Sequence, residues 1–340
     1  DSDTYPVFGG NGLRGYTDTF THEGFYFLIG RQGALCGNIN RTTQKCYVSE
    51  HAIAVQGGNL TDTEWLAQRL DYYNLNRLSE SSAQPGLSAE KLKRLKLATP
   101  SLPEQEKIAA FLTSVDDRID QLKRKKSLLQ DYKKGAMQKL FSQELRFKDE
   151  QGKDFPDWEE KKLGEVAEVV GGGTPDSTNE AYWKGDVQWF TPSEIRSKFA
   201  EDSKRTISQL GLKKSSARVL PIGAILLTSR ATIAEVSIAT RECTTNQGFQ
   251  SLIVQEGHHN EFVYYWIVEN KKEFLRKSQG STFLEISGKE IRKFKIILPS
   301  LPEQTKIANF LSSLDQKIEQ IDTQITQTQT FKKGLLQQMF

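Results

Sequence analysis

The chain has 340 residues, 46 of them Lys or Arg and 43 Asp or Glu, for a formal charge of +3 with His neutral. This balance excludes a polybasic tail protein and an acidic disordered chain, but it leaves room for a basic face hidden in the total. The length predicts two or three domains, since single cores rarely grow past ~250–300 residues.

Residues 1–99 open at Asp1 with β-type turn chemistry in GGNG (9–12). Two short apolar runs follow, FYFLIG (25–30) and IAV (53–55), and then a stretch over 62–80 with helical spacing. Residues 100–142 change character. Ser101 and Glu104 fit a capping box, with Pro103 in the first turn, where a missing N–H costs nothing. Apolar residues then recur in heptads: Ile108, Val115, Leu122, Leu129 and Ala136 in one row, Leu112, Ile119 and Leu140 in the next. Lys126 and Lys133 interrupt the second row, and Lys126 is expected to loosen a coil there. The pattern predicts a long helix that needs a partner for its seam, about 58 Å long from 103 to 141 at ~1.5 Å per residue.

A polar linker, 143–157, leads to a second β-rich part, 158–298. Its runs are VAEVV (166–170), VQWF (187–190), AILLTS (224–229), EVSIAT (235–240), FQSLIV (249–254) and FKIIL (294–298), with one helical stretch over 260–277. Residues 299–340 then repeat the first helix. PSLPEQEKIAAFLTSVDDRI (100–119) and PSLPEQTKIANFLSSLDQKI (299–318) share fourteen of twenty positions at an offset of 199. The same offset aligns YKKGAMQKLF (132–141) with FKKGLLQQMF (331–340), and Gly30-Arg31 with Ser229-Arg230. The chain therefore contains a duplicated unit of β-rich part plus helix, and each helix is the natural partner of the other's seam. Nothing before residue 1 matches Trp158 to about Asp186, so the first β-rich part is expected to be incomplete at its start.

Catalytic chemistry has little to stand on. GGGTP (171–175) lacks the Lys-Ser/Thr of a P-loop and the GxGxxG spacing. PDWEEK (156–161) places its acidic residues in a linker without a strand pair to hold a metal. Cys36, Cys46 and Cys243 are too scattered for a disulfide framework or zinc site, and four His show no metal spacing. The longest apolar stretch, 219–227, contains Pro221 and Gly223 and is far short of the ~20 residues that span a bilayer. Recognition is better served. Trp189, Thr191, Ser193, Lys198, Arg230, Asn246, Gln247 and Gln250 interleave aromatics, cations and amides. Arg, Asn and Gln have paired donors and acceptors that match guanine and adenine edges, whereas Lys, Ser and Thr suit phosphates.

These residues and motifs resemble the specificity subunits of Type I restriction–modification enzymes, over essentially the whole chain. PSLPEQxKIAxFL, present twice and each time followed by a long helix and KKG, looks like the family's two spacer regions. WEEKKLGEVAEVVGGGTP (158–175) with WFTPSEI (189–195), TSRATI (228–233) and NQGFQSLIV (246–254) looks like a complete target recognition domain. PVFGGNGLRGYTD (6–18) with GRQG (30–33) looks like the later portion of another. The resemblance implies an α+β fold: two β-rich target recognition domains joined by two long antiparallel coiled-coil helices in a pseudo-twofold internal repeat. It implies a non-catalytic, cytoplasmic subunit that reads a bipartite, asymmetric double-stranded DNA site, with Asn11, Arg31, His51, Thr174 and Ser177 joining the residues above as DNA contacts. A spacer of about 58 Å bounds the half-site separation at roughly 17 bp or less, at ~3.4 Å per base pair.

Two modification subunits would carry S-adenosylmethionine, and restriction subunits ATP and Mg, with no cofactor or metal on this chain. They would dock on Pro103, Glu104, Gln105 and Phe111, and on their repeats Pro302, Glu303, Gln304 and Phe310. A rival reading from the residues alone is a β-rich protein-interaction adaptor with a coiled-coil spacer and no DNA role. A free-standing nuclease or methyltransferase is disfavoured by the missing motifs.

Overall fold

The computed structural model describes residues 4–79, 86–278 and 284–340. Its chain divides into two compact units, residues 1–126 with 320–340, and residues 127–319. These units cut across the segments expected from sequence, because each long helix contributes to both. The central helix runs Leu102–Phe141 and the distal helix Leu301–Met339.

In the first unit the two helices meet antiparallel: Lys126 reaches Asp322 at 2.5 Å, and Asp116, ten residues earlier, reaches Lys332, ten residues later, at 2.7 Å. Leu112, Val115, Ile119 and Leu122 are buried there with Ile321 and Ile325. In the second unit Ala136 and Leu140 are buried with Ile307, Leu311 and Leu314, and Lys133 pairs with Asp315. The heptad rows are thus the seam. Lys126 was expected to loosen the coil; it bonds across it instead, as Lys133 and Lys332 do. A long aliphatic stem lets an ammonium leave a seam position and reach a carboxylate on the facing helix. Lys133–Asp315 and Lys332–Asp116 are the same contact made once by each copy of the repeat.

The first unit carries two three-stranded sheets. One has the order β2-β1-β5, from Tyr5–Gly9 (β1), Gly12–Thr17 (β2) and Tyr47–Val48 (β5). The other has the order β4-β3-β6, from Tyr26–Gly30 (β3), Ile39–Thr42 (β4) and Ala52–Val55 (β6), all antiparallel. Phe27, Leu28 and Ile29 on the central strand are at most 1% exposed. Phe27 and Ile29 form a core with the helix Thr63–Tyr73, which Asp62 caps by accepting from Trp65 N at 2.7 Å. The helical stretch read over 62–80 ends earlier, at a left-handed Asn74, and continues as the 3₁₀ turn Leu75–Leu78; residue 80 lies outside the described residues.

The second unit repeats this plan with more strands. They are Glu159–Lys162 (β7), Ala167–Gly171 (β8), Trp183–Phe190 (β9), Phe199–Ala200 (β10), Arg205–Ile207 (β11), Ile225–Leu227 (β12), Val236–Ala239 (β13), Cys243–Thr245 (β14), Gln250–Val254 (β15) and Lys295–Leu298 (β16). Sheet orders are β10-β13-β12-β15-β8, β11-β9-β14 and β16-β7. Ile225, Leu226 and Leu227 on β12 are fully buried, which is why AILLTS reads as a continuous apolar run rather than an alternating one. The stretch expected as one helix over 260–277 breaks at Asn270 into Asn260–Glu269 and Lys271–Lys277.

The capping boxes expected at Ser101 and Ser300 do not form. Ser300 Oγ is buried without a partner, and Glu303 is drawn away by Arg146. The glutamine that follows does the work: Gln105 Nε2 donates to Pro100 O at 2.9 Å, and Gln304 Nε2 to Pro299 O at 2.8 Å. Their carbonyls accept from Asp62 N and His259 N, both at 2.9 Å. Each glutamine therefore ties the start of a long helix to the shorter helix beside it in its own unit.

Candidate nucleic-acid interface

In each unit the turns at one end of the sheets converge, and the same backbone contacts build the convergence twice. Ser49 N donates to Phe8 O at 2.9 Å, and Asn246 N to Phe190 O at 3.0 Å. Arg31 N donates to His51 O at 3.0 Å, and Ser229 N to Gly248 O at 2.8 Å. Leu87 N and Ile286 N close the sets by donating to Arg31 O and Ser229 O. By these contacts Arg31 corresponds to Ser229, not to Arg230. The residue in the place of Arg230 is Gln32: Gln32 bridges Gly86 as Arg230 bridges Glu285. The constant offset of 199 fails inside the β-rich parts: it is 197 between Ser49 and Asn246 and between His51 and Gly248, and becomes 198 at Arg31 and Ser229 because the β3–β4 turn of the first unit, closed by Gly30 N to Asn38 O, is one residue longer than the β12–β13 turn closed by Thr228 N to Glu235 O.

In the second unit the turn 228–235 holds Ala231 and Ala234 at φ of 61° and 58°, a left-handed conformation that alanine rarely takes. Gly33 and Gly37 stand at the matching points of the first unit, at 84° and 86°. The tip of the second unit's turn presents Arg230, which is 48% exposed and pairs with Glu285 at 2.9 Å. Beside it, Thr174 donates to Gln247, and both are exposed. Asn246 uses its Oδ1 to accept from Gly248 N at 2.8 Å. Gln250 is half-buried between Gly171 and Gly288, where a Cβ on either glycine would meet its amide. Ser177 is exposed in a turn where Asp176 accepts from Thr178 N and Oγ1, and these hydrogen bonds hold the Asp176 carboxyl below the usual carboxylate range. Ser193 is exposed at the next turn, whereas Thr191 is half-buried and capped by Glu194, with Oγ1 donating at 2.6 Å.

Two expected contacts lie elsewhere. Trp189 is 3% exposed, with Nε1 donating to Gly173 O at 2.9 Å; its ring packs on Trp183 and is a core group, not a stacking platform. Lys198 has an 11% exposed side chain, paired with Glu261 at 2.7 Å and donating to Tyr265 OH and Ser312 Oγ. It anchors the domain to the distal helix. Burying a cation is tolerable only with such partners, so sequence alone could not separate it from a phosphate-binding lysine.

In the first unit Asn11 is exposed at the β1–β2 turn. His51 lies 3.2 Å from Gln32 Oε1 through Nδ1, and Arg31 donates to Glu50 O at 3.1 Å while its Nε is buried without a partner. Gly10 closes the group: a Cβ there would sit 2.8 Å from His51 O. Arg31 is therefore a half-buried scaffold residue, and Gln32, which the offset concealed, takes the outward place.

Of the residues expected to meet partner subunits, Gln105 and Gln304 are buried within their own units, and Glu303 is 0% exposed. Phe310 is half-buried against Phe147, with ring centroids 5.6 Å apart. Pro103, Glu104 and Pro302 are exposed, and Phe111 is 41% exposed. Among the described residues no His, Cys, Asp or Glu cluster could hold a metal, and no helix is long and apolar enough to cross a membrane. The three cysteines are buried and free; burial pushes the Cys243 thiol up to about 12, which leaves it inert.

One backbone scaffold is thus built twice with different side chains at its turns, and two long helices contribute to both copies. The profile described as Type I restriction modification DNA specificity domain matches residues 1–130 and 156–328, and the chain belongs to that family. It is 40% identical over 185 residues to the Type I restriction enzyme MjaIX specificity subunit of Methanocaldococcus jannaschii, covering 53% of this chain and 43% of that one. It is 47% identical over 116 residues to the EcoprrI specificity subunit of Escherichia coli, covering 34% and 29%. The chain thus spans less than half the length of either relative. In fold it resembles the S subunit of a Type I restriction–modification system from M. genitalium, with a TM-score of 0.68 at 18% identity over 99% of this chain and 88% of that one.

Proposed function

We propose that the chain is the DNA-reading subunit of a Type I restriction–modification complex, and that each unit reads one half of a split, asymmetric target. The observation that carries this reading is the pair of equivalent turn clusters with unequal chemistry: Asn11, Gln32 and His51 in one, Arg230, Asn246, Gln247, Thr174 and Ser193 in the other. A shared scaffold with different donors and acceptors is what two different half-sites require. The paired helices serve as a fixed spacer between half-sites. Modification subunits holding S-adenosylmethionine and restriction subunits holding ATP and Mg supply the bond chemistry, and this chain supplies none.

Arg230 is the cation of the second cluster, and Glu285 holds it in place until a base edge competes for the guanidinium. A good bidentate Arg–guanine pair discriminates by ~1–3 kcal/mol. Methylome sequencing of cells that express the chain with modification subunits is expected to show a split motif. Arg230→Ala is expected to relax or abolish one half of it and leave the other half and the spacer length unchanged. A motif unaltered by Arg230→Ala refutes the role given to Arg230. Absence of any salt-dependent binding to duplex DNA by the assembled complex would favour the protein-adaptor reading instead.

A further inference from the structure

Two indoles of the second unit carry one of the protein's own arginines. Strand β9 pairs with β11 so that Trp189 stands opposite Arg205. The register then shifts between Thr206 and Ile207, so that Trp183 stands opposite Ile207. The shift takes up the residues between the two tryptophans, among them Lys184, which holds a left-handed φ of 59°. Residues 205 and 207 share one face of their strand. Both indoles therefore come to the same side of the sheet, edge to face, with ring centroids 5.0 Å apart. The Arg205 guanidinium lies on them, its central carbon 3.7 Å from the Trp183 ring centroid and 5.4 Å from that of Trp189.

What the N–H groups of this arginine meet sets it apart. Elsewhere in the second unit Arg196 and Arg292 donate to backbone carbonyls, and Arg146, Arg218, Arg230, Arg241 and Arg276 pair with carboxylates. Arg205 is exposed and has neither kind of partner among the described residues. Stacking on an aromatic face fixes the plane of a guanidinium and leaves its in-plane donors free. Lys184 on β9 and Lys204 just before β11 are also exposed, with no ion pair among the described residues. The carboxylates of the same strands and turns are engaged otherwise. Glu194 accepts from Thr191 and from Lys204 N, Asp176 from Thr178, and Asp186 from Gln209 at 3.5 Å. The two indoles also hold the loop that carries Thr174: Trp189 Nε1 donates to Gly173 O at 2.9 Å, and Trp183 Nε1 to Asp176 O at 3.1 Å. Arg205 thus flanks the turn cluster, on a strand rather than at a turn tip.

We propose that Arg205 is the phosphate clamp of the second unit. Its free N–H fork takes a backbone phosphodiester of duplex DNA and sets the register in which the turn cluster meets the bases. A guanidinium fork matches two phosphate oxygens, and the lysines beside it bring charge without base preference. Arg230 must exchange Glu285 for its ligand, whereas Arg205 has no carboxylate to give up and meets any sequence alike. The inference rests on the DNA reading above and adds a division of labour to it: Arg205 positions, and Arg230 reads.

The test measures equilibrium binding of the chain, assembled with modification subunits, over a series of salt concentrations. One duplex carries the methylated motif found for the unaltered chain, and the other has a scrambled sequence. Arg205→Ala is expected to weaken binding to both by the same factor, roughly tenfold, and to flatten log affinity against log salt by about one unit of slope. The methylated motif should stay the same. Arg205→Lys keeps the charge and gives up the planar fork, so it should keep the slope and recover part of the affinity. Arg276→Ala removes the same charge from a paired arginine and should change neither. Unchanged affinity and slope in Arg205→Ala overturn the proposal and leave the DNA reading standing. A relaxed base position in the motif also overturns it, because Arg205 would then be reading a base. So does an equal change in Arg276→Ala, which would make the effect one of net charge. If the unaltered complex shows no salt-dependent DNA binding, the DNA reading fails and the proposal with it.

Discussion

Arg146→Met tests whether the linker is a structural part of the second unit. Arg146 keeps 24% of its side chain exposed, while Glu303 has none. Methionine preserves the aliphatic stem and removes both hydrogen bonds to the carboxylate, leaving a buried charge with only the Trp158 indole. Breaking one side of a buried pair costs ~3–5 kcal/mol. Partial solvent access at Arg146 screens the pair and places the expected loss at the low end, about 3 kcal/mol. For a unit of this size ~1 kcal/mol moves the midpoint by ~2–4 °C, so a drop of roughly 6–12 °C is expected. Urea unfolding followed by tryptophan fluorescence reads the same loss, with Trp158 as the local reporter and an unchanged slope showing that stability rather than compactness moved. Glu104→Gln is the internal control: the same motif position, exposed and unpaired, should leave the midpoint where it was. An Arg146→Met midpoint no lower than that of Glu104→Gln would refute the pairing argument.

Gly37→Ala should destabilise the first unit by about 1–3 kcal/mol, because φ is +86° and the new Cβ would meet Asn76 N at 2.6 Å; an unchanged thermal midpoint would contradict this. Ala234→Gly should leave stability equal or slightly raised, by ~0–1 kcal/mol, since relief of the left-handed alanine is partly offset by a more flexible unfolded chain. Stability should also fall as pH drops below 6.5. Burial lowers the pKa of His258 and His259, helped by Lys161 at the first and Lys198 at the second, so the unfolded state takes up protons first and gains. Unfolding midpoints measured between pH 7.5 and 5.5 should decline, and His258→Gln/His259→Gln should flatten the slope; an equal slope in the variant would sink the assignment.

The repeat and the heptads made the spacer helices legible, because apolar spacing survives any environment that buries one stripe. What escaped depended on partners distant in sequence. Lys198 and Trp189 have the side chains of a nucleic-acid surface and sit in the interior, since Glu261, Tyr265 and Gly173 satisfy them there. Residues 143–157 read as a polar linker because their anchors, Arg146, Phe147 and Phe155, are spread thinly among charged residues. The alignment of Arg31 with Arg230 failed for a simpler reason: the two units differ in length between their sheets and their long helices, so matched sheet residues stand 197 or 198 apart, and an offset fixed by the helices cannot record it.

Beneath the unlike turns, each β-rich part is tied to the helix pair by a polar network that joins a glutamate and a cation of that part to an aspartate and a lysine of the helices. In the first unit Arg41 meets Glu64 at 2.7 Å, Gln68 bridges Glu64 and Asp116 at 2.9 and 3.1 Å, and Lys332 completes it at 2.7 Å. In the second, Lys198 meets Glu261 at 2.7 Å and Tyr265 at 3.0 Å, Tyr265 donates to Asp315 at 2.5 Å, and Lys133 closes the chain. Burial raises the Tyr265 pKa, and the Asp315 carboxylate raises it further, which favours the protonated hydroxyl that donates to Asp315. Gln68 donates to both the domain glutamate and the helix aspartate, whereas Tyr265 accepts from Lys198 and donates to the helix aspartate; each hydrogen-bonds its domain to an aspartate of the helix pair. Tyr265→Phe should therefore cost more than a lone hydrogen bond, about 2–3 kcal/mol, because Asp315 and Lys198 each lose a partner in a part-buried site. Tyr265→Gln, which borrows the first unit's solution, should recover part of that loss in the same urea assay. If Tyr265→Gln is no better than Tyr265→Phe, Gln68 and Tyr265 do not play equivalent parts in the two units.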